Sequence, residues 1–251
     1  MTNPFSAGFP NVNFQPKKPS PLAITLVVLF VVATVLVAIS GFYADWLWFK
    51  SVDFVSVWQK VLFTKVQLFI LGGLITALIV GANIYIAYKR RPIYVPLDVE
   101  ADNVERYRAQ IEPLRRVISI ALVLGLFYFG GSAASQLWSA WLLFKNSTAF
   151  GIKDPQFSLD VSFFVFKLPF YQALLSWAIS TLILSTLAAV VVHYIYGGIR
   201  TQVRTDRTSV AARVQLSILL GTIVLLKAVA YWFDRYHLSL KQSRLITGLT
   251  Y

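Results

Sequence analysis

The sequence has no cysteine, one methionine and two histidines in 251 residues. The missing thiols exclude disulfides, thiolate metal ligands, cysteine nucleophiles and redox relays together. His193 and His237, without acidic neighbours, fall short of the three or four converging ligands of a zinc site. Charge is scarce too, at 14% of residues against roughly 25% in soluble domains. Walker, Rossmann, HExxH and GxSxG patterns do not occur, so the expectation is a protein that is not an enzyme, with no catalytic residue, cofactor or metal.

What fills the chain instead is apolar: 57% hydrophobic side chains and a mean hydropathy of +0.65. A net charge of +12 would suit nucleic acid, but the cations flank apolar runs and line no groove, which excludes that partner. Five runs reach the ~20 residues needed to cross hydrocarbon, at 22–42, 63–88, 117–144, 171–196 and 212–233. Helices are forced there because a bilayer offers no partner for backbone N–H and C=O groups. The predicted fold class is therefore all-α, a polytopic transmembrane helix bundle of residues 21–234. Residues 1–20, broken by Pro4, Pro10, Pro16 and Pro19, read as a disordered cytoplasmic tail. The first run exceeds the ~7–15 residues of a signal-peptide core and reads as an uncleaved anchor.

Two patterns orient the bundle. With the N-terminus inside, thirteen of the 23 Lys and Arg fall on the inner side and nine on the outer, with Lys227 inside the last span. That is the positive-inside bias. All seven tryptophans, Trp46, Trp48, Trp58, Trp138, Trp141, Trp177 and Trp232, then fall in outer connections or outer halves of spans, at the headgroup depth Trp prefers. The predicted site is the plasma membrane, with residues 235–251 forming an outer tail that continues into a missing region.

The inner connection carries Asp102-Asn103-Val104-Glu105, a capping-box-like start, followed by an apolar stripe of Val104, Tyr107, Ile111 and Leu114. The spacing predicts a helix along the inner leaflet, where Arg106, Arg108, Arg115 and Arg116 would meet anionic lipid or a docking partner. Outside, the connection from Lys145 to Pro169 holds Phe157, Leu159, Val161, Phe163, Phe164, Val165 and Phe166. It is too apolar to float and too short to span, so it must pack against something.

Few residues invite chemistry. Lys227 is a full charge inside an apolar run, costing about 2.5–3.5 kcal/mol if central. Its bland reading is snorkelling toward water or toward Asp234, seven residues on. Gly73, Ala77 and Gly81, and Gly130, Ala134, Gly131 and Ser135, form small-residue ridges suited to close helix packing. Gly130-Gly131 near mid-membrane could also mark a broken helix that exposes carbonyls to a substrate. Ser176, Ser180, Thr181, Ser185 and Thr186 in span four could line a hydrated path or simply aid packing. His193 reads as an interface residue.

The outer connection from Lys153 to Tyr171, KDPQFSLDVSFFVFKLPFY, resembles the signature of the bacterial uncharacterised protein family UPF0182. Trp48-Phe49-Lys50-Ser51-Val52 and Tyr231-Trp232-Phe233-Asp234-Arg235-Tyr236 extend that resemblance over nearly the whole chain. It implies a multi-pass plasma-membrane protein without established activity, and points to Asp154, Pro155, Asp160, Phe163 and Phe166 as residues of interest. It also implies a longer protein, since family members commonly read T-G-A-S-Y where this chain ends Thr247-Gly248-Leu249-Thr250-Tyr251. The leading expectation is a membrane-anchoring or partner-binding module of the cell envelope, with the lipid bilayer and other envelope membrane proteins as partners. A transporter or channel component using Lys227 and the glycine pair comes second, and an intramembrane lipid-modifying enzyme third.

Overall fold

The computed structural model describes residues 20–91, 115–199 and 208–238. The expected tail up to residue 19, the inner helix at 102–114 with Arg106 and Arg108, and the outer tail from 239 onward lie outside the described residues. The chain divides into two compact units, residues 1–59 and 60–251.

The first unit is dominated by α1, Pro21–Ser51. Its apolar stretch buries nothing against protein, as expected of a rod whose solvent is hydrocarbon. The hydroxyls of Thr25 and Thr34 donate to the carbonyls of Pro21 (2.9 Å) and Phe30 (2.8 Å), so neither is left unsatisfied. The helix runs nine residues beyond the expected boundary at 42, because Trp46, Trp48 and Phe49 keep it in the interfacial layer. It stops where Asp53 takes φ 59°, a left-handed conformation that Asp tolerates. Phe54 N–H bonds back to Phe49 O at 2.9 Å. Beyond this turn, Trp58 meets Phe42 edge-on at 4.9 Å.

In order along the chain follow α2 (Val55–Lys89), α3 (Arg115–Ser135), α4 (Trp138–Lys145), α5 (Leu168–Ile195) and α6 (Val210–Leu238). Five helices are long and apolar enough to cross a membrane, and the described residues contain only two isolated β-bridges and no strand. The expected all-α architecture, with five helices long and apolar enough to span a membrane, is thus observed among the described residues.

Three further span boundaries differ from expectation, and the first is the start of the second span, at Val55 where 63 was expected. The third span ends at Ser135, leaving 19 residues for the crossing, where 117–144 was expected. Ser135 Oγ donates to Ser132 O (2.8 Å), and the amides of Gln136 and Leu137 reach back only three residues. The α-helical ladder therefore tightens and breaks before α4. The fourth span begins early, at Phe163, through a π-helical turn Phe163–Lys167 that runs straight into α5. Pro169, in the first turn of α5, has no N–H to give and crowds the preceding carbonyls. A wider turn, with Leu168 N–H on Phe163 O, accommodates it.

Within the second unit, α2 and α3 cross through glycines. A Cβ on Gly73 would stand 2.6 Å from Phe127 O, and one on Gly131 would stand 2.6 Å from Phe69 O. Gly72 faces Ala134 and Gly130 faces Thr76 in the same reciprocal manner. Bare backbone at four positions is what allows this approach. Helix α3 runs unbroken through Gly130-Gly131, so the glycines serve packing and not a mid-membrane break. The predicted ridge on α2 shifts as well, since a Cβ on Gly81 would meet no atom within 4 Å. Further along, Val80 and Ala87 of α2, Ala189 of α5 and Ala212 of α6 are wholly excluded from the surface.

Candidate functional site: a buried polar layer and an ordered loop

One turn beyond Val80, three apolar helices each contribute one strongly polar side chain to a shared layer. The Gln215 Nε2 group of α6 donates to the backbone O of Asn83 on α2 at 2.9 Å, with Asn83 Oδ1 at 3.3 Å. That leaves Gln215 Oε1 pointing at His193 Nε2 of α5, 3.0 Å away. Because Oε1 can only accept, His193 donates to it from Nε2. His193 is 1% exposed, and Nδ1 has no hydrogen-bond partner.

The chain after α5 is wrapped around this histidine. Gly197, at φ 70°, ends the helix in the left-handed conformation typical of C-terminal glycine. The amides of Gly198 (2.6 Å) and Ile199 (3.1 Å) then both donate to His193 O. A side chain at Gly198 would place its Cβ 2.9 Å from Nδ1, so only glycine fits beside the imidazole. On the return, Ser209 N–H bonds to Gly198 O at 2.8 Å. The layer is a chain of an imidazole and two amides joining α2, α5 and α6, and interhelical bonds of this kind contribute about 0.6–2 kcal/mol each.

His193, expected as an interface residue near the inner end of its span, is buried between helices there. Asn83 and Gln215 were not anticipated, although the signal was present: each is an amide within an otherwise apolar run, and such groups seek each other in a bilayer. Of the span-four hydroxyls, Ser180, Thr181 and Thr186 bond back to the carbonyl four residues earlier. Ser185, fully buried, and Thr76, 2% exposed, have no partner for their hydroxyls.

A second cluster lies at the other end of these helices, in the loop between α4 and α5. Asp154 Oδ2 accepts from the amides of Gln156 (3.1 Å) and Phe157 (2.7 Å), and Ser158 N–H reaches Asp154 O at 2.9 Å. Pro155 presets the first bend of that turn. Asp160 Oδ1 accepts from Phe150 N (3.1 Å) and Ser162 N (2.8 Å), and its Oδ2 accepts from Gly151 N (2.9 Å). The Ser162 hydroxyl, with these backbone amides, lowers the Asp160 pKa from 3.8 to about 2. The two aspartates are thus committed to holding the loop.

The predicted need of the Phe-rich stretch for a packing partner is met by α6. Tyr236, 8% exposed, receives Phe157 (4.9 Å), Phe163 (5.4 Å) and Phe164 (5.9 Å) edge-on. Arg235 lies over Trp232 at 3.7 Å and over Tyr236 at 4.5 Å. Phe166 sits apart from that cluster, against Phe150 at 5.4 Å.

Lys227 and Asp234 are exposed on α6. The ammonium of Lys227 lies over the Tyr231 ring at 5.6 Å, so its partner is an aromatic face and not Asp234. Neither residue joins the glycine pair or the His193 layer. The tryptophans take up cationic and aromatic contacts: Lys50 over Trp46 at 4.9 Å, Lys65 over Trp138 at 5.0 Å, and Trp141 against Phe170 at 5.4 Å. Trp48 and Trp232 are each 60% exposed, and Trp177 is half-buried.

Comparison with known proteins places these features. The chain is 44% identical over 222 residues to a UPF0182 protein of Streptomyces coelicolor, covering 88% of this chain and 22% of that protein. It is 44% identical over 232 residues to one from Nocardioides sp., covering 92% and 23%, and 39% identical over 247 residues to one from Rhodococcus jostii, covering 98% and 25%. The chain therefore spans about a quarter or less of the length of these relatives. No solved structure matches. The description "Uncharacterised protein family (UPF0182)" matches residues 22–251, and the chain belongs to that family.

Proposed function

We propose that this chain is the membrane-embedded part of a bacterial cell-membrane protein, N-terminus in the cytoplasm, that anchors an outward platform for another envelope component. The observation that carries the reading is the loop between α4 and α5. Five backbone amides are tied to the carboxylates of Asp154 and Asp160, and its phenylalanines are docked on Tyr236. A connection serving only to link two spans has no need of such order, whereas a presented surface does. The distribution of cations and tryptophans supports the orientation. The role is one of binding and not of catalysis, with lipid and neighbouring envelope membrane proteins as partners.

The test has two parts. Topology reporters inserted after residues 100 and 155 should report opposite sides of the membrane. A photo-crosslinker at the exposed Val165 should capture a reproducible membrane partner from cells expressing the full-length protein, and Phe163→Ala should abolish that product at unchanged expression. Both reporters in one compartment would end the proposal. A transporter reading retains one supporting observation, the unpartnered Nδ1 of a buried histidine. It requires His193→Leu or Lys227→Leu to change flux in proteoliposomes.

A further inference from the structure

At the membrane end opposite that loop, α2 ends with Tyr88-Lys89 and is followed by Arg90 and Arg91. The Arg91 guanidinium lies 4.1 Å from the Tyr88 ring centroid and 5.4 Å from that of Tyr196. The two rings, one on α2 and one at the end of α5, meet edge-on at 5.1 Å and 81°. Tyr196 is brought there by the same Gly197 bend that encloses His193. The cation thus lies close over the Tyr88 ring, with the Tyr196 ring at its side, in an aromatic corner built from two helices.

Nothing acidic answers this charge among the described residues. Their carboxylates, Asp45, Asp53, Asp154, Asp160 and Asp234, all belong to the opposite ends of the spans. Arg91 is only partly buried, and Lys89 and Arg90 beside it are exposed. A guanidinium that meets aromatic rings through its cation–π attraction keeps N–H donors at its edges, in the fork geometry that matches two phosphate oxygens. Arg91 stands just past the end of a 35-residue apolar helix, Val55–Lys89, which sets it at headgroup depth. Toward the bilayer centre, Ile86 of α2 and Val191 of α5 are 39% and 55% exposed, an apolar surface for acyl chains.

We propose that Arg91, held on Tyr88 and Tyr196, binds the phosphodiester of an anionic glycerophospholipid, with Lys89 and Arg90 adding attraction without direct contact. The acyl surface commits the site to a lipid and not to free phosphate. The inference rests only on the chain lying in a bilayer and is independent of the anchoring role.

The purified full chain, exchanged into micelles containing equal palmitoyl-oleoyl phosphatidylglycerol and phosphatidylcholine, tests it by native mass spectrometry. The wild type should retain phosphatidylglycerol in preference to phosphatidylcholine. Arg91→Ala should lower that retention about fivefold, the scale of one cation near an anionic surface. Arg91→Lys, which keeps the charge but loses the fork, should lose most of it too, while Arg90→Ala should change it less than twofold. Soluble glycerophosphoglycerol should not compete. Equal effects of Arg90→Ala and Arg91→Ala would reduce the site to diffuse charge and overturn the proposal. Full competition by the soluble headgroup would overturn it as well, since it would mark an anion site without lipid. Helix content and thermal unfolding check each variant, and if Arg91→Ala misfolds, Arg91→Lys carries the comparison.

Discussion

His193 Nε2 and Gln215 Oε1 lie 3.0 Å apart in the interior of the bundle, and the same Gln215 amide grips Asn83 at its other end. Three helices drawn from distant parts of the sequence are therefore set in register by one amide. In water such a bond trades against solvent. In hydrocarbon the alternative is an unpaired polar group, which fixes the helices' rotation as well as their proximity.

Replacing His193 by Leu strands Gln215 Oε1, and replacing Gln215 by Leu strands both His193 and Asn83. Each substitution should cost about 1–2 kcal/mol, and the double variant should cost less than the sum of the two. Denaturant unfolding in a fixed detergent gives the coupling, and strict additivity would mean the layer is not a unit.

Gly73→Ala and Gly131→Ala each push a Cβ against an opposing carbonyl at 2.6 Å. Overpacking of this kind should destabilise by about 1–3 kcal/mol. Gly81→Ala, with open space around it, should instead be neutral or stabilise by up to ~1 kcal/mol through helix propensity. Thermal unfolding of the three variants side by side decides the matter.

The Asp160 carboxylate imposes a pH dependence on the outer loop. Its pKa is lowered to about 2 on folding, so its stabilising contribution is complete above the unfolded value near ~3.9 and fades as pH falls toward 2. Amide exchange protection at Phe150, Gly151 and Ser162, referenced to intrinsic rates, should be flat from pH 7 to about 5 and decline below ~4. Asp160→Asn should remove the decline and weaken Gly151 most, because an amide can accept through one atom only. An unchanged profile in the variant would assign the effect elsewhere.

Tyr236→Ala removes the surface on which Phe157, Phe163 and Phe164 converge. A loss of about 3–5 kcal/mol is expected for a large buried ring, with protease cutting between residues 150 and 160 rising well before the helices unfold. Phe166→Ala, which loses only its contact with Phe150, should have the smaller effect of the two.

The architecture was readable because hydrocarbon imposes a simple code of length and apolarity, and five runs satisfied it. Boundaries were less so. Helix α1 passes its expected end because the interfacial Trp46, Trp48 and Phe49 carry it on to the turn at Asp53. The stretch around Phe163 is too short to span alone and reads as a connection, whereas a π turn joins it to α5 across Pro169. The small-residue ridges pointed to close packing but not to the partner, so Gly72 went unmarked while Gly81 was over-read. Asn83 and Gln215 stand 132 residues apart, and no local pattern pairs them. Asp154 and Asp160 stood out through family resemblance, yet only the folded loop reveals that their oxygens are spent on its own amides.

The crossing of α2 and α3 follows one formula written twice. Phe69, Gly72, Gly73 and Thr76 on one rod correspond in spacing to Phe127, Gly130, Gly131 and Ala134 on the other. Each phenylalanine carbonyl meets the second glycine of the other set. The contact is therefore nearly indifferent to which rod supplies which half: exchanging Ile70-Leu71 with Tyr128-Phe129 alters no backbone-to-glycine approach. Only Thr76 against Ala134 breaks the equivalence, so the hydroxyl and extra methyl of one threonine distinguish the two halves of an otherwise self-matching clasp.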